Sequence, residues 1–125
     1  MILGIGIDII DIPRVKRIAE EYGPDFIAKL FSEGEIAYCN SKKTPEINFA
    51  ARFAAKEALL KALGTGMRAG IDWKDIEVVS DEMGNPSISL TGRAKQLADE
   101  RGVAAIHLSL SHTADYAAAV VVLEN

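Results

Sequence analysis

Asp8, Glu57 and Lys61 are the residues whose types and placement can do chemistry. Asp8 interrupts an apolar, β-branched stretch near the N-terminus, where a carboxylate is unfavourable unless it is paired, caps a turn or binds a metal. Glu57 and Lys61 are four residues apart in an Ala- and Leu-rich segment, so on a helix they share one face. Each feature has a plain reading beside a functional one. Asp8 can simply end its strand, and Glu57 with Lys61 can be an i,i+4 ion pair on a solvated face, stabilising by tenths of a kcal/mol. Taken together, Asp8 and Glu57 can also share a hard cation such as Mg²⁺, which takes one or two carboxylates, waters and substrate phosphates. Oxygen ligands suit Mn²⁺ as well. Lys61 would then lie beside the same phosphate as a point charge. Such a trio suits phosphoryl-group transfer, where positioning and charge neutralisation do most of the work.

The elements that must position this trio are a strand and a long helix. Thr44 and Pro45 read as the cap and first turn of a helix, Glu46 favours its dipole, and Gly64 sits where a left-handed stop belongs. On that helix Phe53, Glu57, Lys61 and Gly64 form a row. Phe49, Leu59, Leu60 and Leu63 make an apolar arc, and Ala51, Ala55, Ala58 and Ala62 make a small-residue face that can approach a sheet closely. Residues 2–10 alternate as a strand. Its Leu3, Ile5, Ile7 and Ile9 face is expected to be core, while Gly4, Gly6 and Asp8 share the other face, where bare backbone invites a close neighbour.

The remaining elements follow in order. Asp11 and Pro13 start a helix over residues 12–22, with Val15, Ile18, Ala19 and Tyr22 as its apolar stripe. Arg14 and Arg17 then lie on one exposed patch, which is either solvated or a dock for an acidic partner. Gly23-Pro24 breaks the chain, and short helices are expected over residues 25–30 and 33–39. Lys42 and Lys43 lie in a polar loop, solvated or within reach of a phosphate. An irregular stretch covers residues 67–73. Strands follow over 75–80 and 87–90, and a helix capped by Thr91 over 92–101. A hairpin closes the chain over 103–112 and 116–123. Its last strand is apolar on both faces, which hints at a subunit interface. The order predicts an α+β fold, a small single domain over residues 1–125 with an antiparallel sheet packed on a long helix.

Composition removes several classes of function. The net charge of −4 argues against a nucleic-acid binder, so any basic site must be local. One cysteine, Cys39, cannot form an internal disulfide and fits a reducing cytosol. It reads equally as a half-buried small hydrophobe or a reactive thiol. Asp8 and Asp11 break the N-terminal apolar run, so neither a membrane span nor a signal peptide is expected. There is no Walker A loop, no dinucleotide-binding glycine pattern and no zinc spacing. Ser111, His112 and Asp115 lack a nucleophile elbow.

Three groups of residues carry a resemblance: Gly6-Ile7-Asp8; Arg52-Phe53-Ala54-Ala55-Lys56-Glu57-Ala58 with Lys61-Ala62-Leu63-Gly64-Thr65-Gly66; and Ser111-His112-Thr113 with Tyr116-Ala117-Ala118-Ala119. In this order and at these separations the chain resembles the short, bacterial-type holo-[acyl-carrier-protein] synthases of the 4′-phosphopantetheinyl transferase family, over essentially its whole length. The resemblance implies transfer of 4′-phosphopantetheine from coenzyme A to a serine of apo-acyl carrier protein, with release of 3′,5′-ADP. It implies Asp8 and Glu57 as Mg²⁺ ligands, Lys61 at the phosphates, and Glu57 as a candidate to help deprotonate the serine. His112 would line the coenzyme pocket, with Lys42, Lys43, Gly64 and Gly66 as contacts to its nucleotide end. Arg14 and Arg17 would grip the acidic carrier protein. It further implies a cytoplasmic homotrimer with sites at subunit boundaries. Two other readings remain: a Mg²⁺-dependent phosphohydrolase using the same trio with water, and a non-enzymatic module in which Asp8 and Glu57 are structural.

Overall fold

The computed structural model describes residues 1–67 and 70–125. Of the irregular stretch expected over 67–73, residues 68 and 69 lie outside the described residues. The chain runs β1 (Ile2–Asp11), α1 (Ile12–Leu30), α2 (Glu33–Asn40), α3 (Pro45–Leu63), a single 3₁₀ turn (Trp73–Asp75), β2 (Ile76–Ser80), β3 (Pro86–Leu90), α4 (Gly92–Glu100), β4 (Ala105–His112) and β5 (Tyr116–Glu124). The strands β1, β5 and β4 form one antiparallel sheet in that order, and β2 pairs with β3 in a separate hairpin. The layout is the expected α+β fold, with the long helix α3 laid across the three-stranded sheet.

Local chemistry explains most element ends. The Asp11 carboxylate accepts from the Arg14 amide and starts α1. Gly23, at φ 74°, interrupts α1 just before Pro24, where the break was expected. Ser32 and Glu35 form a reciprocal capping box on α2. Gly64 ends α3 in the left-handed region at φ 78°. Thr44 and Thr91 occupy the cap positions of α3 and α4, but neither hydroxyl caps an amide. Tyr22 does not join the apolar stripe of α1; it is exposed, with its ring 5.7 Å from that of Phe26.

The largest departure from the sequence-based expectation is the face of β1. Ile5, Ile7 and Ile9 are 61%, 65% and 64% exposed, and the glycine face packs inward instead. The cause is the close approach of α3. A Cβ on Gly4 would lie 2.1 Å from the Ala62 carbonyl oxygen, and one on Gly6 would lie 1.8 Å from that of Ala58. Only bare backbone allows the helix so near, and α3 meets it with its own small residues. The core fills in around this contact with Leu59, Leu60, Leu63, Ile76, Val78, Ala119, Val121 and Leu123. Gly6→Ala drives a methyl into helix backbone rather than into a movable side chain. It should cost roughly 3 kcal/mol in urea unfolding.

The uncovered face continues across the sheet. Register sets Ile5 beside Val122, Ile7 beside Val120 and Ile9 beside Ala118. The β4 residues beyond them on that face are His107, Ser109 and Ser111. Cys39, by contrast, is wholly buried, and burial pushes its thiol up to about 11, so it behaves as a core residue rather than a nucleophile.

Candidate active site

The inward glycines of β1 bring Asp8 under α3, because the alternation that presents Gly4 and Gly6 to the helix presents Asp8 to it as well. Lys61, in the last turn of α3, donates to Asp8 Oδ1 at 2.9 Å and to the Ile7 carbonyl at 2.9 Å. The ion pair of Lys61 is thus with the strand rather than with Glu57 on its own helix. Asp8 Oδ2 is buried and has no hydrogen-bond partner among the described residues. Glu57, half-buried one turn before Lys61, is held above the ordinary carboxyl range, chiefly by burial and then by the negative charge of Asp8, with Lys61 opposing both. Arg101 fixes the frame. Its guanidinium donates to the carbonyls of Ala62 and Leu63 at the end of α3 and to that of Leu3 on β1.

An orphaned carboxylate oxygen close to a second carboxyl is an arrangement that could take a cation. The donors are hard oxygens, which suit Mg²⁺ or Mn²⁺, and Asp8 with Glu57 are the residues that would hold it. Gly64 and Gly66 are exposed just past the end of α3, on from Lys61.

The other predicted site residues lie elsewhere. Lys42, Lys43 and His112 line a cleft of about 600 Å³ between the start of α3, the tip of the β2–β3 hairpin and β4. Since β1 and β4 are the two edges of the sheet, this cleft and the Asp8 cluster flank α3 on different sides within one chain. Arg14 and Arg17 are exposed on α1. Arg14 stands on the rim of an apolar cleft of about 440 Å³ lined also by Val15, Ile18, Phe26 and Phe53. Phe53 is one turn before Glu57 on α3, so that cleft neighbours the carboxylates.

Sequence reasoning passed over two basic residues on α3. Arg52 is only 3% exposed and lines the same cleft as Lys42 and His112. Lys56 is wholly buried and donates to Glu35 Oε1 at 2.7 Å and to the carbonyls of Leu30 at 2.8 Å and Trp73 at 3.2 Å. The signal was present. Two like charges at i,i+4 on an otherwise apolar arc repel unless each has its own distant partner.

The comparisons agree with this architecture. Residues 4–121 match the family model described as the 4'-phosphopantetheinyl transferase superfamily. The chain belongs to that superfamily. It is 47% identical over 125 residues to a holo-[acyl-carrier-protein] synthase of Koribacter versatilis, with both chains fully covered. It is 48% identical over 124 residues to that of Geotalea daltonii, covering 99% of each. Among solved structures, the holo-[acyl-carrier-protein] synthase of Neisseria meningitidis superposes with a TM-score of 0.90 at 34% identity, covering 100% of both chains. That of Helicobacter pylori, in complex with coenzyme A, gives 0.84 at 32% identity over 96% of this chain and 99% of its own.

Proposed function

We propose that this chain transfers 4′-phosphopantetheine from coenzyme A to a serine hydroxyl of apo-acyl carrier protein. The new bond joins the serine oxygen to the pantetheine phosphorus, the phosphoanhydride bond breaks, and 3′,5′-ADP leaves. The observation that carries the reading is the Asp8–Glu57–Lys61 cluster, with its orphaned carboxylate oxygen, on a chain of this family. Mg²⁺, with Mn²⁺ as the alternative, would neutralise charge on the diphosphate when held by Asp8 and Glu57. Lys61 is placed to add a further positive charge beside the phosphates, released from Asp8 as it does so. Glu57 would help take the serine proton, directly or through a bound water, from its position beside Asp8 and Lys61.

Residues 1–125 act as one domain. Lys42, Lys43, Gly64, Gly66 and His112 take the nucleotide end of the coenzyme. Arg14 and Arg17 draw in the acidic carrier protein, and the apolar cleft beside Arg14 receives its less polar side chains. The enzyme serves fatty acid biosynthesis in the cytoplasm; among the described residues, no helix is long and apolar enough to cross a membrane.

The working form is a homotrimer. Support comes from the open Ile5, Ile7 and Ile9 face, continuous with Val120 and Val122, which is a large apolar surface to leave in water. Further support comes from the separation of the two halves of the coenzyme site, which a neighbouring copy can bring together. Ile7→Asp should yield monomers by light scattering and lose most transfer activity with them.

The reading is tested by following 3′,5′-ADP. Its release should match the apo-carrier supplied and stop when a carrier with the acceptor serine replaced by alanine is used. Steady release from coenzyme A without carrier would identify a phosphohydrolase instead.

A further inference from the structure

The final carbonyls of a helix have no partner within it. In α3 those of Leu60 and Lys61 are taken by the amides of Gly64 and Thr65. Those of Ala62 and Leu63 accept instead from Arg101 Nη1, at 3.0 and 2.8 Å. The other arm of the same guanidinium, Nη2, donates to the Leu3 carbonyl of β1 at 2.8 Å. Leu3 lies where the register of β1 against β5 shifts, between Ile2 and Gly4. One rigid, planar fork thus spans the helix and the strand that carry the site. Arg101 is itself anchored. It closes α4, its amide donates to the Leu97 carbonyl, Gly102 follows in the left-handed region at φ 78°, and Ala94 and Ala98 of that helix are buried in the core. The seam it spans is tight, since Gly4 packs against the Ala62 carbonyl with no room for a methyl. Among the described residues, one other side chain makes hydrogen bonds between α3 and β1: Lys61, to the Ile7 carbonyl and to Asp8. That bridge is the one the proposed reaction undoes, because Lys61 leaves Asp8 to meet the phosphates. Arg101 holds only backbone carbonyls here, so its bridge remains.

We infer that Arg101 is a positioning residue that keeps the end of α3 on β1 while Lys61 exchanges Asp8 for phosphate, and so preserves the spacing of Asp8 and Glu57 that a cation needs. The inference rests on the function proposed above. Arg101 donates to none of the three site side chains; it acts through the backbone that carries them. Its loss therefore loosens the seam and weakens cation binding and turnover together, while the carrier-binding face of α1 is left alone.

The test combines Mn²⁺ titration followed by electron paramagnetic resonance, amide hydrogen exchange in metal-free protein, and steady-state kinetics. Arg101→Met should weaken Mn²⁺ binding and lower kcat, each by about ten-fold, the scale of losing a group that orients metal ligands from behind. Exchange over residues 58–64 should quicken in the same variant. KM for the carrier should stay within about two-fold, because Arg14 and Arg17 lie outside the bridged seam. Arg101→Lys keeps the charge but not the fork, and should recover only part of each loss. If Arg101→Met does not fold, Arg101→Gln takes its place with the same expectations. An Arg101→Met that melts lower but keeps wild-type Mn²⁺ affinity and kcat would overturn the inference and leave Arg101 a cap on α3. Full recovery by Arg101→Lys would assign the effect to charge at the negative end of α3 and overturn the geometric role. A wild type that binds no Mn²⁺ would overturn the reading of Asp8 and Glu57 as metal ligands, and with it this role of Arg101; wild-type binding with unchanged exchange over residues 58–64 in Arg101→Met would overturn the bridge alone.

Discussion

Glu57→Gln should cut transfer by orders of magnitude and, in metal-free protein at neutral pH, raise the melting temperature. The two effects have one origin. Glu57 carries its charge in a half-buried position facing Asp8, so its folded-state pKa lies above the unfolded one. The folded protein then binds more protons than the unfolded chain between the two values, and stability falls as pH rises through that window. Glutamine removes the charge and its cost. The variant should therefore melt above wild type at neutral pH, and the gap should close below the ordinary carboxyl range, where Glu57 is protonated in both states. Activity moves the other way. Losing one carboxylate of the pair should lower kcat/KM by about 10²–10³-fold, the scale of removing one preorganised electrostatic contact to a transition state. Calorimetry and steady-state rates on one preparation check both. A purely structural Glu57 would give the opposite pattern, with a lower melting temperature and unchanged turnover.

Lys56→Met should unfold the protein or leave it barely stable. Burial pulls the Lys56 ammonium below the usual lysine range, against the pull of Glu35. All three of its donors are used, joining α2, the end of α1 and the 3₁₀ turn. Glu35 extends the joint by accepting from the Val78 amide on β2, and Ser32 hydrogen-bonds Glu77 beside it. Removing the lysine leaves the buried Glu35 carboxylate without its counter-charge and takes a donor from the Leu30 and Trp73 carbonyls, at a cost of about 3–5 kcal/mol by denaturant titration. Adding Glu35→Met to Lys56→Met should recover part of the loss, because an apolar pair is far less costly than half an ion pair. A double variant less stable than the single one would contradict this account of the joint.

What could be read from the chain and what could not divide along a physical line. Asp11, Ser32 and Gly64 act within a few residues of themselves, so the starts and stops they set were legible. Alternation in β1 correctly grouped Gly4, Gly6 and Asp8 on one face, but period two says which residues share a face, not which face turns inward. That choice was made by α3, which needed bare backbone to approach; the alanines at 58 and 62 were the matching half of the signal. The same contact brought Asp8 to Lys61 across the fold, a partner that helix spacing alone would have given to Glu57. The Lys56–Glu35 pair stayed hidden because its partners are scattered over distant elements. The distance of His112 and the lysine loop from Asp8 followed from strand order, since β5 inserts between β1 and β4 and no local pattern encodes that.

The measurement that tests the central claim most directly is the intact mass of an apo-acyl carrier protein after incubation with coenzyme A and this protein. Mg²⁺, EDTA and Glu57→Gln would be compared in parallel. The account predicts a gain of one phosphopantetheinyl group with wild type and Mg²⁺, and none with EDTA or with the variant. A carrier left unmodified by folded, Mg²⁺-supplied wild type would contradict it, as would full modification by Glu57→Gln.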